Sequence, residues 1–220
     1  MKMTFKTLLA AALFAVTTIA QAIPLINMEI KDLNTLVTEN YSDGGAGVIA
    51  VGSLVSPLLA TYWTTGSIQI SAANNQDPLS LAQFISASIN LDASSTVGKN
   101  LLVTVEATEF VNPPAGPAYF DTVINASTVL NTSYDALVTV DGNQLMLVTD
   151  ISDTNTYSNT EKYIVGSPFN IKHVFTLASS AEGGDLGFDI STHSRVPVPA
   201  PLALMGLGLV GMVGARKYFA

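Results

Sequence analysis

The chain has 220 residues, 48% of them apolar and 12% charged, with no cysteine and a formal net charge of -8. That length suits one well-filled domain better than two, and the lack of cysteine excludes disulfides, thiolate zinc sites, a cysteine nucleophile and a lipoprotein attachment cysteine. Residues 23–195 carry all 17 acids against five bases (Lys31, Lys99, Lys162, Lys172 and Arg195), and a body of net charge -12 repels phosphate backbones, so nucleic acid is not expected as a partner.

At the N-terminus, Lys2 and Lys6 precede an uncharged stretch from Thr7 to Ile19, and the small residues Ala20 and Ala22 stand where a signal peptidase reads. This predicts a secretory signal peptide over residues 1–22, cleaved after Ala22. The uncharged stretch is short for a membrane span of about 20 residues.

Residues 23–192 read as a body of short β-rich runs parted by Gly, Asn, Asp, Pro and Ser. The runs are Ala46–Val55, Thr61–Ser71, Phe84–Leu91, Leu101–Phe110, Tyr119–Leu130, Ala136–Val140, Gln144–Ile151, Ile171–Leu177 and Leu186–Ser191. Several alternate; Leu101, Val103 and Val105 would share one face of a strand, with Thr104 and Glu106 on the other. Runs of this period and spacing predict an all-β fold, a single antiparallel β-sandwich of jelly-roll or Ig-like type.

In chain order, the first candidate site is Tyr62-Trp63, in the run Thr61-Tyr62-Trp63-Thr64-Thr65. Trp63 is the only tryptophan, aromatic faces bind sugar rings, and strand alternation would put the two rings on opposite faces, one of them in the core. Leu79 to Ile89 reads as a strand in part, but Leu81, Phe84, Ile85 and Ile89 also fit helical spacing. Glu106 and Glu109 are the nearest approach to a carboxylate pair, and at a separation of three an extended chain turns them to opposite sides. Asn112-Pro113-Pro114-Ala115-Gly116-Pro117 should be an exposed loop, since proline cannot donate within a sheet. Asp141-Gly142 between two alternating runs predicts a hairpin with a type I′ turn.

Calcium is the one cofactor with any candidate ligands. Asp150 to Asn155 and Glu182-Gly183-Gly184-Asp185 place oxygen atoms in loops, as a hard cation requires, although Asp and Asn capping their own backbone in turns explains the same residues. No metal set is expected otherwise. Of two histidines, His173 falls in a predicted strand and reads as a surface or core-edge residue, and His193 falls in an expected tether before the C-terminal segment. With no Gly-x-Ser-x-Gly elbow and no His-Glu-x-x-His helix, the chain is not expected to be an enzyme. Ser and Thr make up 37 of the 173 residues from 23 to 195 and Asn adds 14, which suits a hydrated polysaccharide gel as well as ordinary solvent faces of strands. Asn40, Asn125 and Asn131 each open a glycosylation sequon.

Residues 193–220 form the last predicted segment. Val196-Pro197-Val198-Pro199-Ala200-Pro201 gives an extended strip, residues 202–215 are all apolar or Gly, and Arg216 and Lys217 follow as a basic stop-transfer end. This three-part pattern resembles the PEP-CTERM sorting signal, with Pro197 and Pro199 at the two prolines and Val198 where Glu is most usual. The resemblance covers about 25 residues. It implies a short C-terminal transmembrane helix, cleavage near the motif by an exosortase-type membrane protease, and a Gram-negative bacterium that makes exopolysaccharide.

Together these readings describe an exported protein, anchored transiently in the inner membrane and then delivered to the outer envelope or matrix. Its expected partners are signal peptidase, an exosortase-like protease and exopolysaccharide, and its expected role is structural or adhesive in a biofilm. A lectin-like carbohydrate-binding module using Trp63 or Tyr62 is the alternative, and a secreted hydrolase using His173 and Glu106 is the third reading.

Overall fold

Strands that alternate apolar and polar residues bury one face each, and two such sheets close on one another when their apolar faces meet. The computed structural model of the protein describes residues 23–52, 56–62, 65–74, 83–93, 100–110, 118–166, 168–179 and 184–195, and shows this arrangement with twelve strands and one short helix. The elements are β1 (Leu25–Asp32), β2 (Thr38–Ser42), β3 (Val48–Gly52), α1 (Pro57–Tyr62), β4 (Thr65–Asn74), β5 (Gln83–Ala93), β6 (Asn100–Phe110), β7 (Ala118–Leu130), β8 (Thr132–Val140), β9 (Asn143–Ile151), β10 (Thr156–Tyr163), β11 (Phe169–Ser179) and β12 (Gly184–Arg195). Sheet A has the order β2-β1-β6-β11-β8-β9 and sheet B the order β10-β7-β12-β5-β4-β3. All neighbours are antiparallel.

Strands β5 to β12 alone give the orders β5-β12-β7-β10 and β6-β11-β8-β9. That is the jelly roll, in which the chain crosses between sheets at nearly every connection, so of the two sandwich types expected it is the jelly roll that forms. The β1–β2 pair widens sheet A beside β6, and the β3–β4 pair widens sheet B beside β5.

The two inner faces meet through aromatic rings. Tyr134 of sheet A stacks on Phe188 of sheet B at 4.3 Å, Phe175 meets Phe188 at 5.1 Å, and Phe169 meets Phe120 edge-on at 5.7 Å. Ile26, Ile30, Leu101, Val103, Ile124 and Ile190 fill the space around them.

Local chemistry explains the elements that departed from expectation. The run Thr61–Ser71 is split, because Ser56 caps α1 by accepting a bond from Leu59 N at 3.0 Å and Pro57 takes the first helical position, so Thr61 and Tyr62 end a helix and the strand begins at Thr65. The Leu79–Ile89 segment contributes β5 from Gln83 onward and is not helical there, while residues 75–82 lie outside the described residues. β12 runs through His193 to Arg195, so His193 belongs to the body and not to a tether. At Glu109 the backbone takes φ 67° and the β6–β11 register shifts, a bulge that buries Phe110 and leaves both Glu106 and Glu109 on the outward side, contrary to simple alternation. The predicted hairpin forms: Asp141 (φ 47°) and Gly142 (φ 77°) make the I′ turn, with Val140 facing Asn143. The segments 1–22, 53–55, 63–64, 111–117 and 196–220, and with them Ala20, Ala22, Trp63, the Asn112–Pro117 loop, the motif Val196–Pro201, Arg216 and Lys217, lie outside the described residues.

Candidate functional site

The antiparallel register of sheet B puts one outward residue from each strand in line. Ala50 pairs with Gln69, Gln69 with Ser88, Ser88 with Asp189, Asp189 with Asn125 and Asn125 with Thr156, an unbroken row across all six strands. Every member points away from the core, because its neighbours Ile68, Ile70, Ala87, Ile89, Phe188, Ile190 and Ile124 are buried and side chains alternate along a strand. The adjacent row holds Val48, Ser71, Ser191 and Val123 on the same face.

All of these but Thr156 and Val123 line an open trough of about 410 Å³ that takes side chains from β3, β4, β5, β7 and β12. Small Ala50, Ser71, Ser88 and Ser191 keep its floor low, and Val48, 54% exposed, gives it an apolar wall. Asn125 already accepts a bond from Thr156 Oγ1 at 3.0 Å, which leaves its amide hydrogens directed elsewhere. The carboxylate of Asp189 and the amide of Gln69 have no hydrogen-bond partner among the described residues. An acceptor-only carboxylate beside two amides and several hydroxyls matches a ligand that offers many hydroxyl groups.

Two other concavities are less suited to such a ligand. One, of about 500 Å³, lies on the outer face of sheet A, where Glu29, Glu106 and Lys172 mix charges with Asn27, Asn40 and Tyr41. The other, of about 640 Å³, lies between the edges of β9 and β10, where Asn159 Nδ2 donates to Leu145 O at 2.5 Å and Tyr163 Oη donates to Gln144 O. Those bonds join the two free edges and so close that side of the sandwich.

The residues singled out in the sequence fall in different places. Tyr62 is the last residue of α1, which precedes β4. His173 is wholly buried, not at the core edge; its Nε2 lies 2.9 Å from Thr192 Oγ1, and burial pushes its pKa down to about 3. A neutral ring sealed between the sheets cannot reach a substrate, so the hydrolase reading loses its base. His193, by contrast, is exposed on the outer face of sheet B and stands opposite Asp121, one of the positions that sequence reading passed over. Asp153, in the first calcium candidate, is engaged by Asn155 and by Tyr157 Oη at 2.8 Å, which is turn chemistry. Among the described residues no group of three or more His, Asp or Glu side chains is placed to hold a metal ion.

A separate polar cluster holds the opposite edge of the sandwich. Glu39 of β2 accepts bonds from Ser56 Oγ at 2.5 Å, Leu58 N at 2.9 Å and Tyr41 Oη at 2.9 Å, so one carboxylate ties the start of α1 to sheet A. Asp43 does the same for the β2–β3 turn, accepting from Ile26, Gly45 and Gly47 backbone N–H groups at 2.9, 3.1 and 2.6 Å. Burial pushes its carboxyl pKa up, but these N–H donors outweigh that and hold it below the usual carboxylate range. Gly47 in that turn has φ 75°, and a Cβ there would meet Ala72 O at 3.0 Å, so only glycine fits.

No family model matches the chain, and no curated protein matches it. Among solved structures it is similar to the PA14 sugar-binding domain from an RTX adhesin, at 12% identity and a TM-score of 0.32 over 77% of this chain and 90% of that one. It is also similar to TmCBM61, solved in complex with β-1,4-galactotriose, at 11% identity and a TM-score of 0.30 over 56% of this chain and 86% of that one. A third likeness is to the PA14 domain of the MpAFP antifreeze protein, at 15% identity and a TM-score of 0.25; the chain spans 40% of that structure's length, and 39% of this chain is covered.

Proposed function

We propose that this is an exported surface or matrix protein whose jelly-roll body holds polysaccharide in the trough on sheet B, in a structural or adhesive role and not a catalytic one. The observation that carries this reading is the outward row Gln69, Ser88, Asp189 and Asn125, four hydrogen-bonding side chains on four adjacent strands, of which Gln69 and Asp189 have no partner in the chain among the described residues. Mounting polar groups on paired strands fixes their spacing before any ligand arrives, which lowers the ordering cost of binding.

The two ends of the sequence support delivery to the surface. Ala20 and Ala22 suit signal peptidase, and Val196 to Pro201, the apolar run and Arg216-Lys217 suit an exosortase-type protease that would release the body into the outer envelope or exopolysaccharide matrix of a Gram-negative bacterium. The last strand ends at Arg195, the residue before that motif, so a cut there would leave every strand of both sheets in place. This reading puts the sugar-binding surface on the face of sheet B; Trp63, the other candidate contact, lies outside the described residues.

Two measurements test this. Purified protein should co-sediment with exopolysaccharide from the producing cells without depolymerising it, and the C-terminal peptide of protein recovered from the medium should end between Pro197 and Pro201. Release of reducing ends would make the protein an enzyme, and recovery with Arg216 to Ala220 attached in the inner membrane would remove the sorting step.

A further inference from the structure

Resting on the polysaccharide-binding reading of the trough, we propose that its ligand is an extended, uncharged glycan chain lying at right angles to the strands, with one sugar unit over each strand from β4 to β7. The register carries the argument. Gln69, Ser88, Asp189 and Asn125 are direct cross-strand partners in sequence across β4, β5, β12 and β7, so neighbours in the row are separated by the strand spacing of about 4.8 Å. That spacing is close to the rise per ring of an extended β-linked hexose chain. A glycan lying along a strand would meet outward residues only every second position, about 6.8 Å apart. On β12 it would pass over Gly187, Asp189, Ser191 and His193, which repeat neither that rise nor one chemistry. Only the cross-strand direction offers a polar group to each successive ring.

The charge of the ligand follows from the lining. Among the described residues Asp189 is the only charged side chain that lines the trough and no Lys or Arg lines it, and residues 23–195 carry net -12. A carboxylate can only accept, so it is satisfied by the hydroxyl hydrogens of a neutral sugar and repels the carboxylate of a uronic acid. Gln69 and Asn125 at the two ends of the row can both donate and accept, and Val48 with Ala50 bounds the row with apolar surface at the β3 end.

The test is titration calorimetry of the purified protein with neutral β-linked gluco-, manno- and galacto-oligosaccharides of increasing length, and with oligouronates of matched length. At least one neutral series should bind, with affinity rising as units are added until the row of four groups is covered and levelling beyond that, and oligouronates should bind about tenfold or more weakly. Asp189→Asn should weaken the neutral ligand several-fold while narrowing the gap to the uronate. Full affinity already at a disaccharide, or uronates binding as well as neutral chains, would overturn this proposal while leaving the trough as the site if Gln69→Ala and Asn125→Ala still abolish binding. Failure of every glycan to bind would remove the polysaccharide reading itself.

Discussion

His173 Nε2 and Thr192 Oγ1 meet at 2.9 Å across the gap between the two sheets, and Thr192 Oγ1 in turn meets Thr122 Oγ1 at 2.9 Å. His173 Nδ1 is buried without a partner among the described residues, so the ring is best served by carrying its proton on Nε2, donating to Thr192 and leaving only a lone pair unmet at Nδ1.

This ring makes stability depend on acid. Burial holds the folded pKa near 3, against about 6.5 for an unfolded histidine, so its contribution is complete above about pH 6.5 and is lost progressively as pH falls toward about 3. At about pH 4.5 the linkage amounts to roughly 2–3 kcal/mol. Urea unfolding of the wild type at about pH 7 and about pH 4.5 should show that loss, and His173→Gln, which does not titrate, should lose less by about that amount. Equal acid sensitivity in both proteins would contradict this assignment.

Tyr134 stacks on Phe188 at 4.3 Å, but its buried hydroxyl has no partner among the described residues, and burial, aided by nearby Tyr157 and Asp153, pushes the phenol well above its ordinary pKa. The ring therefore stabilises and the oxygen costs. Tyr134→Phe keeps the stack and removes the unmet hydroxyl, so chemical denaturation should show it neutral or more stable by up to about 1 kcal/mol. A loss of more than about 1 kcal/mol would mean that the hydroxyl is satisfied.

Glu39 and Ser56 act as one unit at the start of α1. Ser56→Ala should cost about 1 kcal/mol through the lost cap, and Glu39→Ala roughly 1–3 kcal/mol because three donors lose their acceptor. The double variant should fall short of the sum, since both single changes remove the same Ser56–Glu39 bond. Strict additivity in thermal unfolding would show that the two residues act independently.

What could be read beforehand was whatever depends on neighbours in sequence. The Asp141-Gly142 turn demands positive φ at two adjacent residues, and only that short segment needs to be known. Three strands are absent from the predicted runs: β2 and β10 are sheet edges with little apolar content, Thr156–Tyr163 half-burying only Tyr157, Asn159 and Tyr163, whereas β1 is an inner strand whose Ile26, Met28 and Ile30 do alternate into the core and could have been read. The helix α1 was hidden by its length, too short for any period to show, although Ser56-Pro57 is a readable cap. The trough was out of reach for a different reason. The outward Ser, Gln, Asn and Asp residues could be counted on each strand, but Gln69, Ser88, Asp189 and Asn125 become neighbours only through the jelly-roll order, in which β12 is inserted between β5 and β7. A shift of one residue in any pairing would turn that strand's polar set inward.

The trough side chains can be changed without touching the core. Asp189 and Asn125 are exposed and face away from the aromatic packing, so Asp189→Ala with Asn125→Ala should leave the unfolding free energy within about 0.5 kcal/mol of wild type. The most direct measurement is the affinity of purified wild type and of this double variant for the producing cells' exopolysaccharide, under identical salt. The account predicts binding by the wild type and a loss of about tenfold or more in the folded double variant, as expected when a charge-assisted bond and an amide bond are removed together. Equal affinity in the two proteins would place the binding surface elsewhere, and no binding by either would contradict the proposed function.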